Sequence, residues 1–333
     1  MADKNSAQID ALFKDFDGTN PGAVVMVIHH GRVIYEKGYG LANIEQKIPC
    51  TTSTNFRLAS VSKQFTATSI LILASQNKLS LDDPITKFFP EFPAYGKEIT
   101  VRHLLSHRSG LIDYEDLIPD GTTIQVGDRN ALNLVRQQNK TYFPPGSDFR
   151  YSNTGYALLS LIVESVSGNT YAAFLKRNIF SPLQMTNTLA YEAGISKVEN
   201  RAYGYALENN KFVPSDQSLT SAVLGDGGIY TSVNDLFKWD QALYTDKILS
   251  QKILREAYTV ASPKTDIDNA GYGFGWYITK HRDTDLFFHR GNTCGFTNLI
   301  ERYPEKKFTV IILTNRRDAE IMDLGKRIFD LYF

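Results

Sequence analysis

Ser60 and Lys63 lie three residues apart in the run Phe56-Arg57-Leu58-Ala59-Ser60-Val61-Ser62-Lys63. A serine hydroxyl is a weak nucleophile until a base takes its proton, and on a helix an amine three residues on shares its face. A helix that begins at Ser60 would also place the developing alkoxide at its positive end. The spacing alone is common, and Ser75-Gln76-Asn77-Lys78 repeats it. That copy follows the apolar run Ile70-Leu71-Ile72-Leu73-Ala74 and reads as the far end of the same helix, where the dipole opposes an anion. Ser60 therefore needs partners from elsewhere. Tyr151-Ser152-Asn153 supplies a phenol and an amide just after the turn-forming Pro144-Pro145-Gly146-Ser147. His289-Arg290-Gly291 supplies an imidazole at the end of Leu286-Phe287-Phe288, which reads as a strand. His29-His30-Gly31 also matches His-x-Gly, but it lies between two strand-like runs and reads as a hairpin turn.

The elements that must position these groups follow an α+β pattern. Residues 8–16 read as a short amphipathic helix, and 23–28 with 33–40 as a hairpin around His30-Gly31. Helical patterns dominate from Ser60 to about Ser167. Strands return at 286–289, 297–302 and 308–313, and a helix over 319–333 closes the chain. Strands at both ends with helices inserted between them predict one antiparallel sheet built from both termini. No linker or repeat divides the 333 residues.

Composition narrows the partners. The 36 basic side chains balance 36 acidic ones, so no cationic excess exists to meet nucleic-acid phosphates. The longest apolar stretches are too short or too interrupted for a membrane-spanning segment. Met1-Ala2-Asp3-Lys4-Asn5 has neither the basic end nor the apolar core of an export signal. Cys50 and Cys294 allow one disulfide, but sequence does not say whether they meet.

The ordered trio Ser60-x-x-Lys63, Tyr151-x-Asn153 and His289-x-Gly291 resembles the serine β-lactamase and penicillin-binding-protein superfamily, most closely its class C branch with the related D-alanyl-D-alanine carboxypeptidases and esterases. His103-Leu104-Leu105-Ser106-His107-Arg108-Ser109-Gly110-Leu111, Gly227-Gly228-Ile229-Tyr230 and Tyr272-Gly273-Phe274-Gly275-Trp276 are similarly placed. The resemblance runs from about residue 20 to about residue 315. It implies a single catalytic domain with a sheet lobe (about 1–58 and 225–333), a mostly helical lobe (about 59–224) and a cleft between them. It further implies that Ser60 is acylated, that neutral Lys63 and Tyr151 move the protons, and that Asn153 orients a substrate amide. The backbone N–H groups of Ser60 and Asn292 would form the oxyanion hole. His289, Arg290 and Gly291 would line the substrate strand. Where many relatives carry a threonine or lysine in that third motif, this chain has Arg290 and a histidine that is mostly neutral at pH 7.

The expected activity is therefore hydrolysis of small-molecule peptides or β-lactams with a free carboxylate, with weak β-lactam turnover and no metal or other cofactor. A carboxylesterase of the same fold and a scaffold that has lost its chemistry are the alternatives. Family habit implies export to the periplasm or beyond, while the sequence start leaves a cytoplasmic protein open. A zinc reading rests on His103 and His107, spaced as in His-Glu-x-x-His, with Asp113 or Glu115 as third ligand. Leu104 stands where that motif needs its glutamate. The α/β-hydrolase reading fails because the chain has no Gly-x-Ser-x-Gly elbow.

Overall fold

The computed structural model describes residues 4–317 and 319–333. The first three residues read for an export signal lie outside that range. Ala23–His29 is apolar and buried as far as Ile28, as a central strand must be. It pairs on one side with Arg32–Tyr39 through a two-residue turn, where His30 and Gly31 both take the positive φ that such a turn requires. On its other side it pairs with the late strand Phe308–Thr314, with Ala23 opposite Thr314 and His29 opposite Phe308.

The result is a seven-stranded antiparallel sheet. Its order is Gly271–Tyr272, Tyr277–His281, Thr284–Thr293, Phe296–Tyr303, Phe308–Thr314, Ala23–His29, Arg32–Tyr39. The α+β architecture with a sheet from both chain ends is thus observed. Two short strands at one end of the sheet, Gly271–Tyr272 and Tyr277–His281, were not expected from the sequence. Gly273 and Gly275 interrupt one end, and Tyr277–His281 carries polar residues without a clean alternation.

One mismatch in strand length shapes the cleft. Tyr277–His281 pairs with Thr284–Phe288 only, with Tyr277 opposite Phe288. The remaining half of the long strand, His289–Thr293, pairs with Phe296–Ile300 on its other side. It borders the cleft where the Tyr277–His281 ladder has ended.

The sheet buries both faces. The outer face packs Val25, Val27, Leu299 and Val310 against the terminal helices, through Ile9 and Ile328 among others. These helices span Lys4–Leu12 and Leu324–Asp330, so the first starts earlier and the last is shorter than their sequence patterns suggest. The inner face packs against Lys63–Ser75, which is buried from Lys63 through Leu73. A helix buried nearly all round belongs at the centre of a core, and its polar residues there need internal partners. The neighbouring helix Asn153–Ser167 starts at an N-cap, where the Ser152 hydroxyl accepts the Gly155 N–H, and stops at Gly168 in the left-handed region.

A buried ion pair fixes the sheet to the helix Val233–Ala242. Arg302 Nε donates to Asp240 Oδ1 at 2.6 Å, and each side chain is 1% exposed. Thr309 donates to the same oxygen at 2.9 Å, and Trp239 Nε1 donates to Gln64 Oε1 on the central helix at 3.0 Å. Removing one member leaves a charge buried without its partner, which typically costs about 3–5 kcal/mol. Asp240→Ala is expected to lose about that much in urea unfolding. Glu91→Ala, which breaks the exposed pair with Arg136, leaves the midpoint within error.

Candidate active site

Ser60 sits in a 3₁₀ turn, Ala59–Ser62, and the α-helix begins at Lys63. The serine therefore precedes the first α-helical turn rather than opening it. Ala59 takes a φ of +51°, a conformation that costs a residue with a Cβ about 1–2 kcal/mol. Packing from the sheet holds this turn. A Cβ at Gly291 would overlap the Leu58 carbonyl oxygen and lie 3.2 Å from the Ser60 nitrogen. Only glycine lets the strand backbone come this close, so Gly291 sets the distance between the strand and Ser60.

Lys63 is fully buried and its amine meets three oxygens. Nζ lies 3.0 Å from Ser60 Oγ, 2.9 Å from Asn153 Oδ1 and 2.9 Å from the Asp226 carbonyl. It also lies over the Tyr151 ring, 4.9 Å from the centroid. As an ammonium it donates to all three oxygens. As a neutral amine it donates to Asn153 and Asp226, and its lone pair faces the Ser60 hydroxyl. The second form is that of a base in contact with its nucleophile.

Asn153 is oriented in turn. Its Nδ2 donates to Glu115 Oε1 at 3.1 Å, which fixes Oδ1 toward Lys63. Tyr151 stands beside this group with its ring 4.3 Å from that of His107, and its hydroxyl is shielded from solvent with no hydrogen-bond partner among the described residues. It contacts Lys63 through the ring face rather than through oxygen.

The third motif differs from its expected role. His289 is buried; its Nδ1–H donates to the Arg290 carbonyl at 2.7 Å, and its Nε2 accepts the Tyr272 hydroxyl at 3.1 Å. Both ring nitrogens are thus committed. Burial, reinforced by the Lys63 charge, drives its pKa down to about 3. His289 positions the strand and has no free nitrogen for substrate, although its ring borders the cleft. Arg290 points to the opposite face, as alternation requires, and is 45% exposed. It is not merely solvated: it reaches the cleft wall, 3.5 Å from Asp266, which also accepts the Tyr277 hydroxyl at 2.7 Å.

Ser60, Tyr151, Asn153, Arg290 and Asn292 all line one cleft of about 740 Å³. Sequence reasoning missed Asp226, whose carbonyl holds Lys63, and Tyr272, which holds His289. Both sit in glycine-flanked segments, Gly225-Asp226-Gly227 and Tyr272-Gly273, and that was the available signal. The zinc spacing has a different origin. The helix that carries His103 ends at Leu105, and His107 lies beyond it at a φ of +57°. The two rings accept the backbone N–H groups of Thr100 and Ser152 respectively, so they do not form an i,i+4 pair on one helical face. Cys50 and Cys294 are both free thiols.

The Beta-lactamase family model matches residues 9–330. Penicillin-binding protein 4* of Bacillus subtilis (strain 168) is 33% identical over 318 residues, covering 91% of this chain and 69% of that protein. The octameric penicillin-binding protein homologue from Pyrococcus abyssi superposes with a TM-score of 0.88 at 29% identity, over 99% of this chain and 76% of that one. The D-amino acid amidase from Ochrobactrum anthropi SV3, in complex with L-phenylalanine amide, gives 0.80 at 26% identity over 98% and 96%. The chain spans about two thirds of the length of the curated relatives it matches. It belongs to the Beta-lactamase family, whose fold it shares.

Burial also holds His107 neutral, and the charge of Lys63 adds to the effect. The unfolded chain takes up a proton on each of these rings near pH 6.5, and the folded chain does not. The stability His289 contributes is whole above pH 6.5 and is lost as the pH falls toward 3, and His107 acts in the same direction. Ring NMR of the six histidines should find His289 and His107 neutral at pH 5. An imidazolium signal from His289 at pH 6 would contradict this site.

Proposed function

We propose that this chain is a serine acyl hydrolase that cleaves short peptides with a free carboxylate on the leaving side, as a D-alanyl-D-alanine carboxypeptidase does, with slow β-lactam turnover. One observation carries the reading: the buried Lys63 amine lies 3.0 Å from Ser60 Oγ and is oriented by Asn153 and the Asp226 carbonyl. The family relatives named as penicillin-binding proteins and as an amidase support acyl transfer at an amide or lactam carbonyl.

In this reading the Lys63 amine takes the Ser60 proton as Oγ bonds to the carbonyl carbon. The tetrahedral oxyanion rests against the N–H groups of Ser60 and Asn292. As the C–N bond breaks, the proton passes to the departing nitrogen, with Tyr151 beside Lys63 completing the relay. The two residues act as one coupled unit. Water then adds to the ester, and Ser60 leaves with a proton restored. Arg290, exposed in the cleft and held only loosely by Asp266, is a cation available for the leaving group's carboxylate beside the nucleophile strand; Arg327 also lines the cleft. Neutral His289 favours a second reading, an esterase with uncharged leaving groups, because it removes the charge that a lysine would place there.

Ser60→Ala should lower the hydrolysis of alanyl-alanine by about 10⁴-fold or more, while Ser75→Ala leaves it intact. Ser75 sits at the exposed end of the helix with its hydroxyl on the Ile72 carbonyl. Arg290→Gln should raise KM for alanyl-alanine about tenfold and leave KM for its C-terminal amide unchanged. Equal effects on both substrates would favour the esterase reading. Efficient cephalosporin hydrolysis would overturn the ranking of β-lactams as slow substrates.

A further inference from the structure

The Asp226 carbonyl that holds Lys63 belongs to a turn that is itself held from outside the site. Leu224–Gly227 is one short helical turn, and the strand Ile229–Thr231 follows it. Asp128, at the start of the helix Asp128–Val135, reaches across to this turn from 96 residues away in sequence. Its Oδ2 accepts the Leu224 N–H at 2.8 Å, and its Oδ1 accepts the Gly225 N–H at 3.0 Å. Oδ1 also lies 2.7 Å from Ser160 Oγ on the helix Asn153–Ser167. We propose that Asp128 is a positioning residue for the reaction: its carboxylate seats this turn and thereby sets the place of the Asp226 carbonyl against the Lys63 amine. This rests on the acyl-hydrolase reading.

The seat of the turn is passed to both members of the catalytic pair. A Cβ at Gly225 would overlap the Tyr156 carbonyl oxygen, so this backbone packs directly on the neighbouring helix. Thr66 Oγ1, on the central helix, donates to the Gly225 carbonyl at 2.6 Å. One residue on, the Asp226 carbonyl meets Lys63 Nζ at 2.9 Å. Past the turn, the Ile229 carbonyl accepts the Leu58 N–H at 2.8 Å, and the Ile229 N–H donates to Ser62 Oγ at 3.3 Å. Leu58 and Ser62 flank Ser60 on either side. A displaced turn therefore moves the base through one carbonyl and the nucleophile through two hydrogen bonds.

The residue type suits the task. Two N–H groups on adjacent residues need two acceptors close together, and an ionised carboxylate offers both and donates nothing. Burial pushes the Asp128 pKa up to about 6 against the pull of its hydrogen bonds, so the group is mostly ionised at neutral pH. Its bonds to the turn are then charge-assisted, the stronger kind. Asparagine in its place keeps one acceptor and turns a donor toward the other N–H, while alanine keeps neither. Asp128 does not line the cleft, so it acts through the turn and not on the substrate.

The test follows acetylation of Ser60 by p-nitrophenyl acetate, by rapid acid quench and mass spectrometry, in wild type, Asp128→Asn, Asp128→Ala and Thr66→Val. It reads the limiting rate and the half-saturating ester concentration, both per folded protein by near-UV circular dichroism. The limiting rate should fall about tenfold in Asp128→Asn and Thr66→Val and about a hundredfold in Asp128→Ala, as a small misplacement of a base does. The half-saturating concentration should stay within about twofold. A merely structural role lowers the folded fraction and leaves the rate of the folded protein at the wild-type value. That result overturns the proposal, and so does a loss carried by the half-saturating concentration. If neither Asp128 variant folds, Thr66→Val decides, because it frees the same turn from the central helix. Wild-type protein that is not acetylated at Ser60 brings down the acyl-hydrolase reading and the proposal together; acetylation of Ser60 at unchanged rates in the variants brings down the proposal alone.

Discussion

Burial of the Lys63 amine is the constraint around which this molecule is arranged. An amine removed from water needs a partner for every N–H, and the three oxygens come from three separate elements. Ser60 lies in the 3₁₀ turn, Asn153 opens a helix, and the Asp226 carbonyl belongs to the short helical turn Leu224–Gly227. The three converge only when the helical segments and the late part of the chain are both in place. The lysine is thus a check on the assembled fold, and in the proposed mechanism it is also the base, with one of its three contacts, Ser60 Oγ, as the nucleophile.

The sheet supplies the rigid wall against which this group works. Gly291 brings the long strand into contact with the Leu58–Ser60 backbone, and His289 is pinned by Tyr272 and its neighbour's carbonyl. Behind the strand, Arg302 and Asp240 lock the sheet to the helix Val233–Ala242, and Trp239 ties that helix to the central one through Gln64. The end of the Tyr277–His281 ladder at Phe288 leaves the functional half of the strand bordering the cleft. Substrate access is therefore a consequence of one strand being shorter than its neighbour.

Much of this was legible in the sequence where the chemistry is carried by a residue's type and local spacing. The Ser60–Lys63 interval, the turn before Tyr151 and the apolar run before His289 pointed to the right neighbourhood. The apolar strands at both ends gave the sheet. What remained hidden depends on contacts between distant segments. Asp226 acts on Lys63 through its main chain, which no residue type advertises. Glu115 matters because it lies beside Asn153, 38 residues away in sequence. His289 matched its motif, but burial and Tyr272 make its ring a strut. For Arg290, strand alternation says only which face the residue takes; the loop that brings Asp266 beside it is set by tertiary packing.

The most direct test of the account is acid-quenched peptide mapping by mass spectrometry during turnover of p-nitrophenyl acetate, with Ser60→Ala as control. The account predicts an acetyl group on the peptide that contains Ser60, formed at the rate of the nitrophenol burst and absent from the variant. An acyl group trapped on another residue, or hydrolysis that persists in Ser60→Ala, would contradict it.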